Sequence, residues 1–312
     1  MNETDIRKTV RVGIALSGGG ARGLAQVGVL KVLERAGVGV DVIAGTSIGA
    51  IIGGVYACWP DADELEKRVL GFVRSKYIES LNLATIRRLG GIPTVGEKTP
   101  HKADPGLFDR VQTAFRGLYA SHLALSRRAV LSGERVLRVL ETVFENRAFE
   151  DTEIRFGAVA VDLNEGCEVI IGSGPLARGV AASAAIPGIF PPIELNGRLL
   201  CDGGYTSPVP IDAVKTMGAN VAIAVDVSRH GIAVSELANG VEIAMRSSEI
   251  SLIALEQEQL RRADVVISTR GQTRHWSDFS RPEEAIRAGE VACEKLLDNI
   301  RDVIDERTHL FL

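Results

Sequence analysis

The stretch A-G-T-S-I-G-A, Ala44 to Ala50, follows directly on the apolar run Val42-Ile43-Ala44 and leads into the equally apolar I-I-G-G-V-Y-A. An apolar strand, a glycine-flanked turn and an apolar helix make a strand-to-helix elbow, and Ser47 stands on it. A serine at such a turn is held in a strained backbone conformation, while the flanking Gly45 and Gly49 let neighbouring segments pass close by. The following helix points its first N–H groups at the same place, which suits a developing negative charge. Ser47 therefore reads as a nucleophile, and its hydroxyl needs a base.

Working outward, Val10 to Leu16 reads as a buried strand ending in S-G-G-G, and Leu24, Val27, Leu30 and Leu33 recur at helical spacing until Gly37 stops the helix. Val40 to Ala44 is the second strand, and the run after Ser47 is a helix buried on most sides. Strand, helix, strand, helix opens a parallel sheet flanked by helices, an α/β fold. Further helices are expected over Asp61 to about Tyr77, Gly133 to Asn146, Val234 to Arg262 and Pro282 to about Ile304. Further strands are expected at Phe156–Asp162, Glu168–Ile171, Leu199–Cys201, Val221–Val227 and Val265–Thr269. No repeat or linker divides the 312 residues, so 1–312 reads as one domain. Between Ala84 and Arg128 the pattern weakens. Arg87, Arg88, Lys98, Lys102, Arg110, Arg116, Arg127 and Arg128 there outnumber Glu97, Asp104 and Asp109, which marks a basic insertion or lid at about 84–128, suited to anionic partners.

A net charge of −4 gives no signature of a nucleic-acid binder. The four cysteines never form a C-x-x-C pair and are expected to be reduced and mostly buried, in a cytoplasmic protein without a metal site or cofactor. The start M-N-E-T-D-I-R-K-T-V lacks the apolar core of a signal peptide, and Ile48 to Trp59 is shorter than a membrane span. A soluble chain that can touch the inner face of a membrane peripherally is expected.

A second glycine motif, S-G-G-G-A-R-G, Ser17 to Gly23, also joins a strand to a helix. Gly18, Gly20 and Gly23 satisfy the dinucleotide fingerprint, which makes a nucleotide-binding protein the alternative reading. That reading wants an acid at the far end of the second strand, whereas Asp41 lies at its beginning. Adjacent parallel strands end on one sheet edge, so the glycine loop and Ser47 are expected side by side. Gly18, Gly19 and Gly20 can then offer backbone N–H groups as an oxyanion hole, with Arg22 adding charge or holding the loop.

Five histidines are available as the base: His101, His122, His230, His275 and His309. The order Ser47, then Asp226 or Asp202, then His230 or His275 would suit a hydrolase triad, but there the elbow follows later strands than the second. The other candidate is Asp202 in C-D-G-G-Y, which spacing alone cannot tell from an Asp-Gly turn.

G-G-G-A-R-G, G-T-S-I-G and D-G-G, in that order, resemble the patatin-like phospholipase family. Ala182 to Pro192, A-S-A-A-I-P-G-I-F-P-P, and Gly203 to Pro210, G-G-Y-T-S-P-V-P, resemble its bacterial branch, related to the neuropathy target esterase catalytic domain. The resemblance implies a three-layer fold with a mainly parallel central sheet. It also implies a serine lipid acyl hydrolase without histidine, in which Ser47 is the nucleophile, Asp202 the base, Gly18, Gly19 and Gly20 the oxyanion donors and Arg22 the loop support. Implied substrates are phospholipids, lysophospholipids or other acyl esters. A catalytically idle regulator on the same fold is a further alternative. Ile186, Ile189, Phe190 and Ile193 either line an acyl groove or belong to the core.

Overall fold

The computed structural model describes residues 10–75, 133–228, 240–269 and 277–310. The basic segment 84–128, and with it the expected insertion or lid, lies outside the described residues.

Among the described residues eight strands form one sheet. They are β1 (Val12–Leu16), β2 (Val42–Thr46), β3 (Arg155–Asp162), β4 (Cys167–Ile171), β5 (Ile193–Leu195), β6 (Arg198–Asp202), β7 (Val221–Asp226) and β8 (Val265–Ser268). Five of them, in the order β3-β2-β1-β7-β8, run parallel, while β4 and β6 pair antiparallel to β3, and β5 to β6. Around the sheet the described helices are α1 (Ala25–Arg35), α2 (Ile48–Cys58), α3 (Ala62–Val73), α4 (Gly133–Val143), α5 (Leu176–Ser183), α6 (Ile211–Thr216), α7 (Gly240–Leu260), α8 (Pro282–Glu294) and α9 (Leu297–His309). The α/β class and the mainly parallel, helix-flanked sheet are as expected.

Strand alternation sorts the core into two layers. Ile14 and Leu16 of β1, Ile43 of β2, and Val221, Ile223 and Val225 of β7 face one cluster with α1 and α2. Ala15, Val42, Ala44, Ala222 and Ala224 face the other, with Val209, Ile211, Ala213 and Val214 of the short α6 region. The small side chains on the second face let α6 lie close to the sheet. On the first face α1 and α8 cross in contact: a Cβ on Gly28 would fall 1.9 Å from the Ile286 carbonyl oxygen, and one on Gly289 1.8 Å from that of Ala25. Both positions need glycine because backbone meets backbone.

Several expected boundaries move. β2 runs to Thr46, so strand and elbow share Thr46, and every residue of α2 is buried. Asp61 caps α3 rather than belonging to it, its carboxylate accepting the Asp63 and Glu64 N–H groups at 3.0 and 2.8 Å. The closing helix is two helices, α8 and α9, separated at Lys295–Leu296. β5, α5 and α6 are additional. Each has eight residues or fewer, too short for periodicity to reveal. All four cysteines are free thiols, with Cys58, Cys201 and Cys293 buried and Cys167 exposed.

Candidate active site

The pairing of β3 explains how residues 155 positions apart come together. β2 runs parallel along one edge of β3 and ends with Thr46 opposite Val159. Ala158 pairs with both Gly45 and Ile171, and Ala160 with both Val169 and Asp202, so β4 fills one edge of β3 while β2 and then β6 share the other. β6 runs antiparallel and ends with Asp202 opposite Ala160. The two strands thus approach end to end, and their terminal residues abut on neighbouring positions of β3.

Ser47 follows Thr46 with φ 56° and ψ −120°, a conformation unfavourable for a residue carrying a Cβ. It occupies the N-cap of α2, yet its side chain caps nothing there. The hydroxyl instead lies near enough to the Asp202 carboxylate to favour its charged form. The elbow glycines Gly45 and Gly49 allow this close packing: a Cβ on Gly49 would lie 2.2 Å from the Leu16 carbonyl oxygen, and one on Gly45 2.3 Å from that of Gly49. Thr46 Oγ1 donates to the Ser207 carbonyl at 2.7 Å, and the Ser47 N–H donates to Ser183 Oγ at 3.1 Å.

Asp202 is 5% exposed. Burial lifts its carboxyl to about 6, against the nearby Ser47 hydroxyl and the 2.8 Å hydrogen bond from the Gly204 N–H, both of which favour the charged form. Its own N–H donates to the Ala185 carbonyl at 3.0 Å. A carboxyl near 6 is a better acceptor for an alcohol proton than a free aspartate near ~3.9.

The glycine loop lies beside the elbow, with an ideal Cβ on Gly18 only 3.6 Å from Ser47 Cβ. One expected donor is corrected here. The Gly18 N–H is committed to the Pro208 carbonyl at 3.0 Å, because the loop is stitched to the segment following Asp202. Gly19 and Gly20 spend their N–H groups on no acceptor among the described residues. Gly20, at φ 58°, adopts the left-handed conformation that lets the loop turn into the 3-10 helix Gly20–Leu24. Arg22 Nε donates to the Gly19 carbonyl at 3.3 Å. Buried Gln26 Nε2 holds the Ser17 carbonyl at 2.7 Å, and Ser17 Oγ accepts the Val227 N–H at 3.2 Å. Buried Glu256 feels the Arg22 charge and is lifted to about 7 first by burial and also by Asp226, against Ser228 and Arg22.

Asp226, the alternative triad acid, ends β7 beyond β1 from the elbow, and its carboxylate accepts the Ser228 N–H and the Ser268 hydroxyl, each at 2.9 Å. His309 lies in the last turn of α9, whereas His101, His122, His230 and His275 lie outside the described residues. Asp41 accepts the Val12 N–H at 2.8 Å where β1 begins, at the opposite end of the sheet from the glycine loop. Among the described residues no cluster of three metal-ligating side chains occurs, and no helix is long and apolar enough to cross a membrane. Cavities of about 730 Å³, beside β8 and α8, and about 460 Å³, between α3 and α4, do not border the Ser47–Asp202 pair. Of the apolar stretch, Ile193 packs against the core, while Ile186, Ile189 and Phe190 are half-buried outside both core clusters.

Ser183, Thr46 and Gln26 were not singled out from sequence. The available signal was a polar side chain inside an otherwise apolar or small-residue run, as at Ser183 in A-A-S-A-A, and such a residue is also common on a surface.

A mainly parallel α/β sheet with an elbow serine beside a buried carboxylate, and a glycine loop alongside, is an arrangement suited to nucleophilic acyl chemistry. A family model described as patatin-like phospholipase matches residues 14–215, and the chain belongs to that family. It is 32% identical over 218 residues to a patatin-like phospholipase domain-containing protein of Caenorhabditis elegans, covering 69% of this chain and 13% of that one. It is 33% identical to an uncharacterized NTE family protein of Mycobacterium tuberculosis, covering 70% and 49%. With lysophospholipase nte1 of Aspergillus fumigatus the identity is 34% over 221 residues, covering 69% and 12%. The chain thus matches half or less of the length of these relatives.

Proposed function

We propose that the protein is a serine lipid acyl hydrolase acting through a Ser47–Asp202 dyad. The observation that carries this reading is the placing of the strained Ser47 beside the buried Asp202 carboxylate, where β2 and β6 end on adjacent residues of β3. Ser47 Oγ attacks the ester carbonyl carbon as its proton passes to Asp202. The carbonyl π pair moves onto oxygen, which is received by the Gly19 and Gly20 N–H groups and the start of α2. Collapse of the intermediate breaks the C–O bond, and the alcohol leaves with the proton held by Asp202. Water then attacks the acyl-enzyme, again giving its proton to Asp202, and Ser47 leaves re-protonated as the fatty acid is released.

A lysophospholipid or phospholipid is the proposed substrate. The Aspergillus relative is named a lysophospholipase, and half-buried Ile186, Ile189 and Phe190 begin one residue from the Ala185 carbonyl that holds Asp202. The basic 84–128 segment suits peripheral contact with an anionic membrane surface, with the protein on its cytoplasmic side. Flotation with anionic vesicles that is lost at high salt checks this contact; flotation indifferent to both salt and lipid charge rejects it.

The deciding experiment is hydrolysis of a medium-chain p-nitrophenyl ester and of a lysophospholipid by wild type, Ser47→Ala, Asp202→Asn and His230→Ala. Loss in the first two variants alone establishes the dyad. Loss in His230→Ala as well rejects it in favour of a triad, and a folded but inactive wild type favours an idle regulator.

A further inference from the structure

We propose that Ser183 is a positioning residue for the nucleophile, its buried hydroxyl fixing the Ser47 peptide so that the Ser47 side chain faces Asp202. This rests on the reading of Ser47 and Asp202 as nucleophile and base.

Ser183 ends α5 within the motif A-S-A-A-I-P-G and is fully buried. Its hydroxyl makes two hydrogen bonds of fixed polarity. The single proton is donated to the Val159 carbonyl at 2.6 Å, which leaves a lone pair to accept the Ser47 N–H at 3.1 Å. Val159 is the β3 residue paired with Thr46, immediately before the one paired with Asp202. Ser183 therefore ties the strained Ser47 peptide to the point on β3 where the two strand ends meet.

The same segment also holds the base. Two residues on, the Ala185 carbonyl accepts the Asp202 N–H at 3.0 Å. From the other flank, Thr46 Oγ1 is fastened to the Ser207 carbonyl, five residues beyond Asp202. The elbow and the carboxylate are thus registered through one short piece of chain, and Ser183 is its side-chain link to the elbow. Without that hydroxyl the Ser47 N–H loses its acceptor, and the peptide is free to rotate toward another. A small misplacement of reacting groups costs about 100-fold in rate.

The test compares Ser183→Ala with wild type, with Ser47→Ala as the dead control and Val180→Ala as the control for destabilisation. Val180 is a fully buried α5 residue with no hydrogen bond to the site in its side chain. The readouts are kcat and KM on a p-nitrophenyl ester, the pH dependence of kcat/KM, thermal melting, and the rate at which a fluorophosphonate labels Ser47. In labelling, Ser47 Oγ bonds to phosphorus, fluoride leaves, and the serine proton passes to Asp202. Ser183→Ala is expected to lower kcat and the labelling rate about 10- to 100-fold, with KM within about twofold. It should also move the rising limb of the pH profile upward, because a misdirected Ser47 hydroxyl no longer favours the Asp202 anion. The other titratable groups that feel the Asp202 charge among the described residues, Cys201 and Tyr205, are untouched by this change. Val180→Ala should lower the melting temperature and leave kcat and the limb in place.

Unchanged kcat, labelling and pH limb in folded Ser183→Ala overturn the inference while leaving the dyad standing. Equal kcat losses in Ser183→Ala and Val180→Ala overturn it too, since they show a structural effect only. If Ser183→Ala does not fold, Ser183→Cys, which nearly keeps the volume with a weaker donor and acceptor, decides: wild-type values reject the inference and intermediate ones support it. If folded wild type neither hydrolyses esters nor is labelled at Ser47, the dyad reading fails and this inference falls with it.

Discussion

Burial lifts the Asp202 carboxyl to about 6, and this one displacement links catalysis to stability. On the proposed mechanism catalysis needs the anion, so kcat/KM should rise with pH through an apparent pKa near 6; a profile already flat from pH 4.5 would contradict the assignment. Asp202→Asn keeps the shape but offers no base, and should lose about 100- to 10,000-fold in kcat, while Ser47→Ala should fall to the uncatalysed background. The stability effect has the opposite sign. A folded pKa raised above the unfolded value of ~3.9 means that the native state prefers the protonated acid, so stability is fullest below pH 4 and is lost as pH rises through about 6. That loss is on the order of 2–3 kcal/mol at pH 8. Asp202→Asn should therefore melt higher than wild type at pH 8, with the difference shrinking toward pH 4; thermal melts across that range would show it. A more stable, inactive variant is what a base held at a cost to stability predicts.

At the scale of the element, the elbow is built by close approach. Gly49→Ala places a methyl within 2.2 Å of the Leu16 carbonyl oxygen and must push α2 away from the end of β1. Because Ser47 stands at the N-cap position of α2 and shifts with it, activity should fall about 100-fold even in the fraction that stays folded, measured as kcat per titrated active site. Gly289→Ala meets the Ala25 carbonyl oxygen at 1.8 Å, in the contact of α8 with α1. Overpacking there should cost about 1–3 kcal/mol, read by urea denaturation, and leave KM and the pH profile of the survivors unchanged. The two substitutions separate strain at the site from strain in the scaffold. The elements that carry these effects were legible in part. β1, α1 and α2 announce themselves through long apolar periodicity, and the D-G-G and G-T-S-I-G turns through their glycines. α5, β5 and α6 did not, being short, and the break between α8 and α9 has no glycine or proline to mark it.

For the whole molecule, the sheet divides its strands into a large-residue face under α1 and α2 and a small-residue face under α6. The second face is lined by small, fully buried residues. Ala15→Leu, at a fully buried position facing Val209, Ile211 and Val214, should destabilise by about 1–3 kcal/mol and reach the site indirectly, because β1 leads into the glycine loop. A denaturation midpoint equal to wild type would mean that this layer is looser than its burial indicates.

The sequence alone determined the α/β class, the strand-to-helix elbow at Ser47, the glycine loop beside it and the family, because these are local patterns in which a few residues must be apolar or small at fixed spacing. It left Asp202 indistinguishable from an ordinary Asp-Gly turn except by resemblance. Only the tertiary structure brought that carboxylate to Ser47, since the juxtaposition depends on β2 and β6 ending on adjacent residues of β3, a register that no local pattern encodes. It likewise decided that the Gly18 N–H is already spent on Pro208, and that the Ser47 peptide hangs from Ser183, because a hydrogen bond between distant residues is chosen by how the chain packs.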